Sequence, residues 1–154
     1  MNSAHIHLAL SHAPIFGSLT GLFILAAGMY TRKNLISITA LILFVATALA
    51  AIPVFITGED AGEIIRNLPG VTDSAREAHE ELAEKAIWLM GMLGALSAAA
   101  LFAYIKIKDK FNLACKIILV LALLTCGFMI KVGNSGGQIR HTEISSPPIR
   151  QNFE

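Results

Sequence analysis

A chain of 154 residues that is 55% hydrophobic and 15% charged is too apolar for an ordinary soluble domain and belongs in a bilayer. Twelve Lys and Arg against 11 Asp and Glu leave a net charge of +1, so where the charges sit matters more than their sum. G-x-S-x-G, HExxH, a Walker-type loop and a dinucleotide fingerprint are all absent, which argues against hydrolytic and transferase chemistry.

The chain opens MNSAHIHLALSHAPIFGSLTG. Pro14 reads either as the first-turn proline of a helix beginning near Ser11 or as a kink in a longer helix capped at Ser3. On a helix His5 and His12 share a face, and His7 lies about 140° round from His12, so one flat ligand is not expected to take both His7 and His12. The first apolar run, residues 13–30, is followed by Arg32 and Lys33 and preceded by no basic residue. It reads as an uncleaved first span with its start outside, not as a signal peptide. Gly17 and Gly21 form a GxxxG within it that admits a neighbouring backbone or a flat cofactor.

The second run, 35–56, carries no charge. Pro53 is expected to bend it and Gly58 to cap it. The expected loop at 58–85 holds Glu59, Asp60, Glu63, Asp73, Glu77, Glu80, Glu81 and Glu84 against Arg66, Arg76 and Lys85, an acidic face. A short amphipathic helix is expected near 61–68, ended by Pro69-Gly70, and Thr72 or Asp73 is placed to cap the next helix. In AREAHEELAEKAI, residues 75–87, a period of about 100° per residue gathers Glu77, Glu80, Glu81 and Glu84 on one side. His79 shares the opposite side with Ala75, Leu82 and Ala86, and Arg76 lies about 60° from it. Histidine and glutamates therefore point apart, which disfavours a shared acid/base site.

The third run, 86–105, is free of charge and rich in small residues, Gly91, Gly94, Ala95, Ala98 and Ala99, suited to close packing. Lys106, Lys108 and Lys110 precede the fourth run, 111–132, where Lys116 and Lys131 lie near the two ends and can extend to headgroups. Cys115 and Cys126 sit about 16 Å apart along one helix and cannot bridge; both read as packing residues. Without CxxCH, covalent haem attachment is not available. In VGNSGGQIRHTEI the glycines and Asn134 are expected to release the chain from the helix and bring Arg140 and His141 to the surface. A membrane bundle over 1–135 followed by a tail over 136–154 is the expected division.

Each run approaches the twenty or so residues that cross about 30 Å of hydrocarbon. Both short connections are basic and are expected in the cytoplasm. The termini, the acidic loop and all five histidines then share the outer side. Imidazoles at such an interface ligate metal or haem iron, or titrate near neutral pH. Bis-histidine haem ligation needs imidazoles from different segments, small residues near the ring, apolar walls and cations for the propionates. His12 and His79 supply the first, Gly17 and Gly21 the second, and Arg76 and Arg140 the last. His141 is a third candidate ligand and His7 a fourth, so one or two b-type haems are conceivable. A zinc or copper site would more often add cysteine, methionine or carboxylate ligands at this level.

HLALSHAPIFG, residues 7–17, resembles the HPxxVHFPI opening of a bacterial family of small four-helix membrane proteins. The placement of His79 at the head of the third span and of GGQIRH, residues 136–141, after the fourth is also similar to that family. Leu8 and Ala13 stand where the family has proline and phenylalanine. Members are sometimes fused to c-type cytochrome domains, so the resemblance implies an electron-transfer setting and a haem-binding role.

The sequence is thus read as all-α, a four-span antiparallel bundle in a bacterial inner membrane with both termini on the periplasmic side. It is expected to bind haem b non-covalently near its outer face and to carry single electrons, as a carrier or redox-complex subunit and not as a stand-alone enzyme. Expected partners are membrane lipid and a periplasmic c-type cytochrome, steered to the glutamate face, or other respiratory subunits; nucleic acid is not expected. A structural subunit of a larger complex and a metal or proton pathway are the alternatives. Spans one to three lack the mid-membrane ionisable groups that a transporter uses.

Overall fold

Asn2 begins the first helix: its side chain accepts the His5 N–H, satisfying one of the donors a helix start leaves open. In the computed structural model, which describes residues 2–106 and 110–140, five helices follow: α1 (Ser3–Leu10), α2 (His12–Tyr30), α3 (Asn34–Ile65), α4 (Asp73–Lys106) and α5 (Phe111–Arg140). No strand occurs among the described residues. The two readings of Pro14 resolve as a separate α1 and an α2 that starts at His12. Pro14 then lies in the first turn of α2, where its missing N–H leaves no bond unmade.

The connections are built from local chemistry. After α2, Arg32 adopts φ 56°, and the N–H groups of Arg32 and Lys33 bond the carbonyls of Met29 and Gly28, closing the helix end. Gly70, φ 86°, turns the chain between α3 and α4. Thr72 supplies the cap expected there: its Oγ1 accepts the Ala75 N–H at 3.3 Å.

Three helices run further than their apolar segments. α3 passes Gly58 and absorbs the short helix expected at 61–68; α4 starts at Asp73, so the expected 58–85 loop shrinks to a turn; α5 continues through Gly133–Gly137 to Arg140, past the expected boundary at 135. Glycine costs a helix about 1 kcal/mol relative to alanine, and tertiary contact offsets that cost. Ile15 packs onto Gly133, His7 onto Gly58, the Arg76 stem onto Gly62 and His79 onto Gly136. These glycines are contact points between helices, not helix ends.

α2, α3, α4 and α5 form an antiparallel ring in which α2 also meets α5, and α1 leans on α3. Leu25, Leu41, Phe44, Met90, Leu93 and Ala122 are fully buried within it. Gly21 receives the Phe44 ring, Gly28 receives Ser37 and Gly94 receives Ala48, so small residues set the helix separations. Free Cys115 and Cys126 are buried in the same core. Outside, Phe23, Tyr30, Trp88, Phe102 and Ile117 are exposed, an apolar exterior that suits lipid. All four long helical stretches, counting α1 with α2, are long and apolar enough to cross a membrane.

At 1.5 Å per residue α3, α4 and α5 are each longer than about 40 Å, against about 30 Å of hydrocarbon. Their apolar segments lie toward the lysine-bearing connections, so the surplus projects at the opposite end. There, with α1, it forms a collar that carries His5, His7, His12, His79 and most of the acids.

Candidate functional site

His79 sits on the face of α4 that the wheel assigns it, with Ala86 below it fully buried and Ala75 and Leu82 partly so. Its ring lies against α5, where a Cβ at Gly136 would come within 3.1 Å of Cε1. His79 Nδ1 is 2.9 Å from Ser135 Oγ, and Ser135 Oγ in turn donates to the Val132 carbonyl at 2.9 Å. A serine hydroxyl has one proton to give. With that proton on Val132, Ser135 accepts from His79, which puts hydrogen on Nδ1 and leaves the Nε2 lone pair free.

His7 repeats the arrangement on the other side. Its Nδ1 is 2.9 Å from the Val54 carbonyl of α3, and a carbonyl only accepts, so Nδ1 again carries the hydrogen. A Cβ at Gly58 would meet the His7 ring at 3.2 Å. Ser3 Oγ donates to Asp60 Oδ2 at 3.1 Å, a second tie between α1 and α3. The two imidazoles are close enough to feel one another. Burial pushes the His79 pKa down, and the charge of His7 adds to that, with Glu80 and the Val132 carbonyl opposing.

Arg76 turns toward α3. Its stem covers Gly62, its guanidinium donates to Glu80, and Asp73 lies 3.8 Å away. The side chain is 18% exposed, and Nε is buried without a partner, one of two such side-chain atoms among the described residues, with Ser97 Oγ. Glu80 is consequently drawn to Arg76, while Glu77, Glu81 and Glu84 remain exposed and Glu81 pairs with Lys85.

The other expected residues fall elsewhere. His12 is exposed, its Nδ1 3.3 Å from Ser11 Oγ and its ring stacked on Phe16 at 6.3 Å between centroids. His5 is exposed and bonds Asn2. Thr47 and Phe44 of α3 take the space over Gly17 and Gly21, so the close approach there is helix on helix. Arg140 ends α5, but its side chain and His141 lie outside the described residues.

The described residues contain no group of three or more His, Cys, Asp or Glu placed to hold a metal ion. His7 of α1 and His79 of α4 are each seated on a glycine of a neighbouring helix, His7 on α3 and His79 on α5. Sequence reasoning missed Ser135, the Val54 carbonyl and the two glycine seats. Of these only the glycines carry a signal in the sequence, and local propensity assigns it to helix ends. An apolar groove between α3 and α4, of about 350 Å³ and lined by Val45, Ile52, Gly91 and Ala95 among others, includes none of these histidines. No family model, curated protein or solved structure matches the chain.

Proposed function

We propose that the chain is a membrane-bound b-type haem protein that transfers single electrons, with His7 and His79 as the axial pair. One observation carries the reading: imidazoles from two different helices of the collar, near enough for the charge of His7 to act on His79, each have Nδ1 on an oxygen acceptor, which leaves each Nε2 as the ligand atom. The donor set suits haem better than a bare divalent ion. Haem iron asks the protein for only two ligands, and no third or fourth is assembled among the described residues. The unpartnered Arg76 Nε is a donor suited to a propionate. Bound haem would supply reversible one-electron iron chemistry.

The protein's own part is positional. Val54 and Ser135 fix the ring tautomers, Gly58 and Gly136 let the rings approach their helices, and the collar holds the pair at the end of the apolar segments. The basic connections argue for placing that end on the periplasmic side of a bacterial inner membrane, with both termini outside. Exposed Glu77, Glu81 and Glu84 offer an acidic approach for a basic c-type cytochrome.

A dithionite-reduced minus air-oxidised spectrum of the purified protein, with haem quantified, tests the proposal. About one b-type haem per chain is expected. His7→Ala and His79→Ala should lose it, and His12→Ala should keep it. A flat spectrum from protein made with ample haem would overturn the proposal. The pair would then be read as interhelical ties, His7 holding α1 on α3 and His79 holding α4 on α5, as in a structural subunit of a larger complex.

A further inference from the structure

We infer that Ser135 is a positioning residue: by accepting the Nδ1 proton of His79 it decides which ring nitrogen is presented as ligand and how strongly that nitrogen donates. For its redox consequence the inference rests on the haem reading; for the tautomer it does not.

A neutral imidazole carries its hydrogen on either nitrogen, and the hydrogen bond made by one nitrogen selects the state of the other. For His79 that bond is made with a hydroxyl, which in principle accepts or donates. Its direction is settled one step further out. Ser135 Oγ is 2.9 Å from the carbonyl of Val132 on its own helix, which consumes the only hydroxyl proton. The chain of bonds then runs one way, from His79 Nδ1–H to Ser135 Oγ and from Ser135 O–H to Val132 O. Three features of α5 make this possible. The helix stays regular through its glycines, so Ser135 lies one turn beyond Val132. Gly133 accepts Ile15, which brings α2 onto α5. Gly136 has no side chain to hold the imidazole away from the hydroxyl.

His7 provides the internal contrast. Its Nδ1 partner is a backbone carbonyl, which no side-chain substitution deletes and which admits one tautomer only. Ser135 is therefore the position at which a single side chain governs one of the two ligands. An imidazole that shares its Nδ1 proton is the more basic donor at Nε2. Removing the acceptor should weaken the ligand and favour the reduced iron, raising the midpoint potential.

The experiment combines two readouts on wild type, Ser135→Ala and Ser135→Thr. In haem-free protein labelled with ¹⁵N-histidine, at a pH where imidazoles are neutral, NMR should report His79 as the Nδ1–H tautomer in the wild type and in Ser135→Thr. In Ser135→Ala it should report a mixture or the Nε2–H form. In haem-loaded protein Ser135→Ala should bind haem about 10- to 100-fold more weakly with a raised midpoint potential, and Ser135→Thr should restore both. An Nε2–H tautomer in the wild type, or an unchanged tautomer in Ser135→Ala, would overturn the inference. So would a shifted tautomer with unchanged affinity and potential. A wild type that takes up no haem would instead sink the haem reading, and the NMR result would still decide whether Ser135 controls His79.

Discussion

At His79 the physics of a single side chain is legible in three neighbours. Gly136 gives the ring access, Ser135 gives it a proton acceptor, and partial burial disfavours its charged form. The last of these makes a pH prediction. In the unfolded chain His79 titrates near its ordinary 6.5, and in the fold its pKa lies lower, with burial the first cause and the His7 charge the second. Below 6.5 the unfolded state therefore holds more protons than the folded one. Stability from this group is fully present above 6.5 and is lost as the pH falls toward the folded pKa. Unfolding midpoints in detergent at about pH 7.5 and about pH 5.5 should show a drop in the wild type that is smaller in His79→Gln. An equal drop in both would assign the acid sensitivity to other groups.

Among the elements, α1 and the outward ends of α3, α4 and α5 behave differently from a reading of local propensity. Gly58 sits inside α3, and Gly133 and Gly136 inside α5, where His7, Ile15 and His79 meet them. α4 shows both outcomes for a helical glycine. A Cβ at Gly91 would meet nothing within 4 Å, whereas one at Gly94 would lie 2.5 Å from Ala48 Cβ on α3. Gly91→Ala should therefore raise stability by up to about 1 kcal/mol through helix propensity alone. Gly94→Ala should lower it by about 1–3 kcal/mol by forcing α3 and α4 apart. Thermal unfolding of the two variants in one detergent would check the order. A reversed order would mean that Gly94 is not the point of closest approach.

Across the whole molecule charge is polarised along the bundle. Glu59, Asp60, Glu63, Asp73, Glu77, Glu80, Glu81 and Glu84 gather at the histidine end, and Arg32, Lys33, Lys106 and Lys110 lie at or beside the connections at the other. Basic connections resist translocation, so the proposed orientation has a direct test. An alkaline phosphatase fused after Arg140 should be active in a bacterial host, and one fused after Lys33 inactive. Activity in the second fusion alone would invert the topology and bring the histidine pair to the cytoplasmic side.

Composition and hydropathy were enough for the all-helical class and the four apolar segments, because a segment's transfer into hydrocarbon depends on its own residues. The inward aim of His79 also followed from sequence, since a face is set by a period of 3.6 residues within one helix. The contacts of His79 with Ser135 and Gly136 did not follow. The sequence offers His12 first, with His141 and His7 as further candidates, as imidazoles to set beside it. In the fold His12 is exposed, and His7, about 140° round the helix from it, meets the Val54 carbonyl of α3. Likewise Gly58, Gly133 and Gly136 look like helix ends until Ile15, His7 and His79 are seen resting on them. Contact between segments far apart in sequence overrode the local propensity of each, and only the tertiary structure contains that contact.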